Sequence, residues 1–368
     1  MSTPAISTAD ERALGAALAE LGEPRWRVTQ LQQAVWQPFI TRFEDIRQLS
    51  ADLQRRLDAA LTFSAVRPAS LTEADAGMTI KLLCALHDGL TVETVAMESP
   101  PRAPSRRRAT VCVSSQVGCA VGCPFCATGR MGLRRSCSAA EIVDQVRAAG
   151  AALHSRGLGP VTHVVYMGMG EPLANLDPVL ASLRVLTADA GISPRRITVS
   201  TSGIVPGIDR LAAEGPAVTL AVSLHAATDS LRDRLVPLNR TQPIDALMDA
   251  ATRYARNTGR RLTLEWCLIG GVNDSLEQAS ALRTLALRAR AHLNVIPMNR
   301  IDGSPWGPPP AAASKAFLKE LRGVRVTVRD TRGHEADAAC GQLRALLESR
   351  RELMPDGTLS APRRAALV

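Results

Sequence analysis

From Ala109 onward the chain alternates extended apolar runs with amphipathic helical ones, a rhythm that leaves few folds open. ATVCVSSQ, THVVYMG, RITVSTSG, VTLAVSLHA, LTLEWCLI and LNVIPMN read as strands. Between them lie helical stretches such as SAAEIVDQVRAAGAALHSR, IDALMDAATRYARNTG and SLEQASALRTLALRAR. Ser138 and Glu141 open the first of these as a capping-box pair. Six β–α units argue for a parallel sheet and are too few for a closed eight-stranded barrel. The expected class is therefore α/β, a partial and open (β/α)6 barrel. VRVTVRDT (324–331) is a candidate late strand, and GQLRALLESRRELM a helix ahead of a basic tail.

The stretch before Ala109 has another character. ERALGAALAELG, RWRVTQLQQAVW and ADLQRRLDAAL show helical apolar spacing. IKLLCALHDGLTVETVAME is two extended runs about Asp88-Gly89, a hairpin signal. PPRAPSRRR then reads as an exposed loop. The expected organisation is an accessory domain over 1–98, a linker over 99–108, the barrel over 109–345 and a helix end with tail over 346–368. No apolar run approaches the roughly 20 residues of a membrane span. No secretory signal is visible at the N-terminus, so a cytoplasmic address is expected. Forty-four Lys and Arg against 35 Asp and Glu leave a net charge of +9, which suits a polyanionic partner.

Eight cysteines stand at 84, 112, 119, 123, 126, 137, 267 and 340. In a reducing compartment such a set points to metal binding or chemistry rather than disulfides. Cys119, Cys123 and Cys126 follow the first strand of the repeating region, where barrel-type folds build active sites. Thiolates at this spacing can hold zinc or an iron–sulfur cluster. Zinc would need Cys112 or Cys137 as a fourth ligand, because no second CxxC pair exists. Cys84 and Cys267, inside apolar strands, read as core residues.

Cx3CxxC after a first strand resembles the signature of the radical S-adenosylmethionine (SAM) superfamily. VGCAVGCPFCATG, YMGMGEP, STSG, SLHA and DAACGQL together resemble the RlmN/Cfr family of RNA adenine methyltransferases, most densely from Glu93 to Leu343. The resemblance implies a 4Fe-4S cluster held through three irons by Cys119, Cys123 and Cys126, with the fourth iron open to SAM. It implies SAM contacts from Gly170, Glu171, Ser200, Ser223, Leu224, His225 and Asn299. It makes Cys340 the methyl carrier, Cys112 its resolving partner and Glu93 a proton acceptor. Two places depart from the family pattern. Met298 and Arg300 flank Asn299 where the family has Trp and Pro, and Ser136 and Cys137 follow Arg135 where it has Asn and Leu. Cys137 is accordingly read as a small buried residue without a role.

The chemistry so implied consumes two SAM molecules per turnover. The Cys340 thiolate takes a methyl group by displacement. A radical derived from the second SAM removes hydrogen from that methyl, and the resulting carbon adds to an adenine ring carbon. Loss of the ring proton to Glu93 and attack by Cys112 on Cys340 release the product and leave a disulfide. The implied partners are 23S ribosomal RNA at the peptidyl-transferase centre, the tRNA anticodon loop, a flavodoxin-like electron donor and a thiol reductant, with the enzyme acting as a monomer. Methylation at C8 instead of C2, and a zinc-stabilised RNA-binding protein without catalysis, are the rival expectations. The N-terminal helices, PPRAPSRRR, Arg260-Arg261 and the tail are candidate phosphate contacts.

Overall fold

The computed structural model describes residues 5–99, 107–301, 304–329 and 341–343. Cys340, the linker residues 100–106 and the segment from 344 to the end lie outside these described residues.

The chain opens with α1 (Glu11–Glu20), α2 (Arg27–Val35) and α3 (Ala51–Ala60). Asp10 caps α1 by accepting the Ala13 N–H at 2.7 Å, and Ser50 caps α3 by accepting that of Leu53 at 3.2 Å. Leu14, Leu18, Val28, Leu31, Leu53 and Leu57 recur at helical spacing and bury together with Phe43 and Phe63 in a core of their own.

Next come β1 (Val66–Ala74), β2 (Thr79–Leu86) and β3 (Thr91–Ser99), an antiparallel meander. Gly89, at φ 82°, supplies the left-handed residue of the β2–β3 turn, as Asp88-Gly89 foretold. β4 (Arg108–Cys112) is followed by a short ribbon of β5 (Gln116–Gly118) and β6 (Leu133–Ser136), with α4 (Ala127–Arg130) between them. The alternating region then runs α5 (Ala139–His154), β7 (Val161–Tyr166), α6 (Leu176–Ala188), β8 (Ile197–Thr201), α7 (Val205–Glu214) and β9 (Thr219–Ser223). It continues with α8 (Asp229–Leu235), α9 (Ile244–Thr258), β10 (Thr263–Leu268), α10 (Leu276–Arg288), β11 (His292–Pro297), α11 (Ala311–Glu320) and β12 (Arg325–Val328).

Among the described residues one sheet of ten strands runs β1-β2-β3-β4-β7-β8-β9-β10-β11-β12. β4 and β7 to β12 are parallel, and the end strands β1 and β12 do not pair. This is an open α/β barrel, with the late strand present as β12. The hairpin strands belong to the same sheet, so residue 98, the expected edge of the accessory domain, falls on β3 inside it. The two cores part near residue 65 instead. At that seam Arg147 of α5 donates to the Val35 and Phe63 carbonyls and pairs with Asp144, which in turn accepts the Ala65 N–H.

Period-two alternation gives each parallel strand two unlike faces. Val164, Val199, Leu220, Leu264, Trp266 and Leu293 point outward and are essentially fully buried under the helices. Tyr166 shares a hydrogen bond with Ser182 of α6 at 2.7 Å, and Trp266 packs on Phe317 of α11. Toward the N-terminal ends of the strands the inward positions are polar and partly open: His163, Thr198, Thr219, Thr263 and His292. A closed barrel fills this space with branched apolar side chains; here it stays available to a ligand.

Candidate functional site

Two cavities stand out. One of about 690 Å³ lies at the seam between the helical unit and α5 and holds no cysteine. The other, about 180 Å³, opens at the C-terminal ends of the parallel strands and brings the sequence-picked residues together. Ligands of α/β folds bind at that end.

Its first wall is the cysteine loop. β4 leads into the β5–β6 ribbon, whose closure needs Gly118. At φ 79° a side chain there is strained, and a Cβ would stand 1.8 Å from the Gly132 carbonyl oxygen. The loop so held carries Cys119, Cys123 and Cys126, and all three line the cavity. Gly129 lets α4 lie against the loop, since a Cβ there would come within 2.8 Å of the Cys123 carbonyl. Burial drives the Cys119 thiol up to about 11. It also holds Cys123 well above the ordinary range, with the neighbouring thiols adding to the effect. Burial thus favours the protonated form of Cys119 and Cys123 until a cation replaces the protons.

Among the described residues, no three His, Cys, Asp or Glu side chains are close-set around a single ion. The loop itself offers three thiols, one short of a closed four-thiolate site, and that donor set fits a 4Fe-4S cluster with one open iron; the other thiol on the wall, Cys267, comes from β10.

The opposite wall is built from strand ends. Gly168 and Gly170 follow β7, and a Cβ on either would meet a neighbour at 2.6 Å, Val113 O and Gln116 Cβ respectively. Gln116 accepts the Glu171 N–H at 2.9 Å, tying that turn to β5. The Glu171 carboxylate is buried, which raises its pKa. It accepts the Ser202 N–H at 2.7 Å, the Ser202 hydroxyl at 2.6 Å and the Leu173 N–H at 3.1 Å. Ser200 and Ser223 face each other across β8 and β9 with hydroxyls 3.3 Å apart.

His225 sits at φ 60°, a strained position for a non-glycine residue, on the cavity wall. Its Nδ1 accepts the Cys267 N–H at 2.9 Å, so Nε2 carries the proton. Burial, followed by the charge of Arg232, lowers its pKa to about 3. A ring held neutral this firmly is a hydrogen-bond donor and stacking surface, not an acid–base catalyst. Phe125, from inside the cysteine loop, packs edge-on against it with centroids 4.9 Å apart.

Gly170, Glu171, Ser200, Ser223, His225 and Asn299 thus share one cavity with the three thiols. Leu224 does not join them. It is buried, donating its N–H to the Glu265 carbonyl and accepting from Arg232. Glu93 and Cys112 also stay off the cavity wall. Glu93 is buried and pairs with Lys81 at 3.1 Å, and its carbonyl accepts the Ser114 hydroxyl. Because Val95 pairs with Cys112, alternation puts Glu93 and Cys112 on the same, inward face of β3 and β4. Cys340 lies outside the described residues, but the residue after it does not. Gly341 lines the cavity and accepts the Ala127 N–H at 2.9 Å, while Leu343 accepts the Thr128 hydroxyl at 2.6 Å. Residues 341–343 are therefore docked on α4, one residue beyond the cysteine loop.

Sequence reasoning missed three participants. Cys267 is not a core residue; it is half-buried on the cavity wall, because it falls on an inward position of β10. Cys84 and Cys137 are buried as expected. Phe125 was not singled out in the sequence. Arg232 of α8, also not singled out in the sequence, is wholly buried. It donates to the carbonyls of Ser202, Ser223 and Leu224 and to Asn239, fastening the ends of β8 and β9. No spacing signal marks it, since its partners are backbone oxygens of other strands.

Residues 113–282 match the model of the radical SAM superfamily. The probable dual-specificity RNA methyltransferase RlmN of Acidothermus cellulolyticus is 44% identical over 95% of this chain and 87% of its own length. Its counterpart from Parafrankia sp. is 46% identical over 91% of this chain and 90% of its own. The crystal structure of a radical SAM methyltransferase from Sphaerobacter thermophilus superimposes with a TM-score of 0.87, at 43% identity, covering 93% of this chain and 99% of that one.

Proposed function

Because the chain belongs to the RlmN family of RNA methyltransferases within the radical SAM superfamily, we propose that it methylates C2 of adenine in 23S ribosomal RNA and in tRNA. The observation that carries this reading is the single cavity uniting three thiols, the Glu171–Ser200–Ser223–His225 wall and Gly341, the neighbour of Cys340. Cys119, Cys123 and Cys126 would hold the 4Fe-4S cluster. With SAM bound, that pair of cofactors supplies a carbon radical able to take hydrogen from an unactivated methyl group.

The remaining work falls to this chain's own residues. Gly168 and Gly170 let the turn after β7 close tightly on Val113 and Gln116, which fixes this part of the cavity wall. Glu171 receives an ammonium group with a carboxylate already oriented by Ser202. Ser200, Ser223 and Asn299 offer hydrogen bonds, and His225 offers a neutral donor. The few polar groups in an otherwise apolar cavity keep water from a reactive intermediate. Cys340 takes the methyl group first, since adenine C2 is too electron-poor to attack SAM itself. Glu93 accepts the ring proton, and Cys112 resolves the protein–RNA link by attack at sulfur. Their shared inward face supports that pairing of roles.

The reading places the reaction in the cytoplasm, where both RNAs reside, with the chain acting as a monomer. It requires an external one-electron donor of the flavodoxin kind and a thiol reductant to reset the cysteine pair. Among the described residues no helix is long and apolar enough to cross a membrane.

The test is Cys340→Ala in anaerobically reconstituted protein. Iron and sulfide content and SAM binding should match the parent, with methyl transfer to RNA abolished. Methylation at the parental rate would end the proposal. In product RNA, 2-methyladenosine is expected, and 8-methyladenosine would overturn the assigned carbon.

A further inference from the structure

The inward wall of the barrel does not end at the cavity. Below it, toward the N-terminal ends of the strands, the same face turns cationic. His163 of β7 aligns with Thr110 of β4, and Ile197 of β8 aligns with Val164, which brings Arg196 beside His163. His292 of β11 aligns with Thr263 on one side and Arg325 on the other. Arg261 stands two positions before the inward Thr263. Arg329 stands two after Thr327 and extends the ladder by donating its N–H to the Val295 carbonyl at 2.9 Å.

Both histidines feel these charges. The pKa of His163 is lowered to about 4, by burial first and then by Arg108 and Arg196. That of His292 is lowered by burial and by Arg261, Arg325 and Arg329. Arg196, Arg261, Arg325 and Arg329 are exposed, and none has a carboxylate within ion-pair distance among the described residues. Glu265 on this wall, which feels the Arg329 charge, is buried and accepts from the Asn294 amide at 2.8 Å. Elsewhere many of the chain's exposed arginines are paired, as in Arg210 with Asp177 and Glu214 and Arg253 with Asp209. Leaving four arginines without such partners on one concave face is costly in self-repulsion unless an anion completes it.

The spread of the charges narrows the kind of anion. β8 to β12 is four inter-strand spacings, or roughly 19 Å along the wall. A single small anion cannot reach across that span, whereas a chain of phosphates can. The cavity lining reaches down β10 as far as Glu265, and Arg261 stands four residues before it, about 13 Å away. A strand whose target base enters the mouth would carry its flanking phosphates down this face.

We propose that Arg196, Arg261, Arg325 and Arg329 form a phosphate-binding track for the RNA strand flanking the target adenine, on the inner wall below the cavity. This inference rests on the RNA-methyltransferase reading above and names a contact surface within it. Base edges are not read here, so the track adds affinity without sequence preference.

The test uses the full chain, cluster-reconstituted, with a fluorescein-labelled RNA hairpin bearing an unpaired loop adenine. Binding is followed by anisotropy as salt is raised, for the parent and for R196Q/R261Q/R325Q/R329Q. A control set, R184Q/R234Q/R240Q/R256Q, removes the same charge from exposed positions elsewhere. The track predicts that the slope of log affinity against log salt falls by about 0.7–0.9 for each phosphate that the variant no longer neutralises, roughly two to four in all. The control should keep the parental slope within about 0.5. RNA-independent reductive cleavage of SAM should be unchanged in the track variant. An unchanged slope in that variant, or an equal fall in the control, overturns the track while leaving the methyltransferase reading standing. Failure of the parent itself to bind and methylate RNA overturns both.

Discussion

The parallel strands present two walls made from the same few residues, and the walls differ in kind. The outward wall, with Val164, Val199, Leu220, Leu264 and Leu293, is dry and fully buried. The inward wall is polar, half-open and charged, with thiols and a carboxylate at the top and arginines at the bottom. Side chains one residue apart therefore serve separate ends. The outer wall carries the stability that lets the inner wall go unpacked, and a barrel left open by one edge can keep its lumen for a ligand.

The comparison is most exposed to failure where the walls meet, at Arg232. Arg232→Gln strands the Ser202, Ser223 and Leu224 carbonyls beneath the cavity, so a loss of about 3–5 kcal/mol is expected. Denaturant unfolding of the apo chain measures it. A loss below about 1 kcal/mol would mean that the strand ends are held by other means. Next in size is a matched pair on the two walls. Leu264→Ala should cost about 2–5 kcal/mol and leave activity per folded molecule intact. Thr198→Val, on the inner wall, should stay within about 0.5 kcal/mol. Equal costs would erase the distinction between walls.

The last expected effect is a pH dependence at His225. Its folded pKa is depressed to about 3, below the unfolded value near 6.5. The contribution is therefore complete above pH 6.5 and is lost as pH falls from there toward 3, at up to about 1.4 kcal/mol per unit. His225→Gln should flatten that limb of the apo-protein stability curve. A mutant curve parallel to the parent's between pH 6 and about 4 would show that His225 is not the group responsible.

Much of this was legible in the chain. The β–α alternation after Ala109 foretold parallel strands and an open barrel, and Asp88-Gly89 foretold the hairpin. The cysteine loop, the glycine turn at 168–171 and the serines at the ends of β8 and β9 all carry local signals, because strand ends and tight turns are set by near neighbours. β1 escaped notice, since VRPASLTEA is mostly exposed and shows no clean alternation. Cys267 was misassigned because an apolar strand does not reveal which of its faces is solvated. The two departures from the family pattern are absorbed quietly: Met298 lines the cavity, and Cys137 is buried.

What the sequence determined by itself was the order of elements and the chemical inventory, for both follow from propensity, period and residue type along one segment. What only the tertiary structure decided was company. It made His225 neutral by aiming Nδ1 at a backbone N–H on another strand, and it docked Gly341 onto α4 from more than two hundred residues away. It also turned an arginine of α8 inward as a clamp and gathered four exposed arginines on one wall. Such facts depend on strand register and burial, which sum contributions from residues distant in the chain and leave no mark in any single stretch of it.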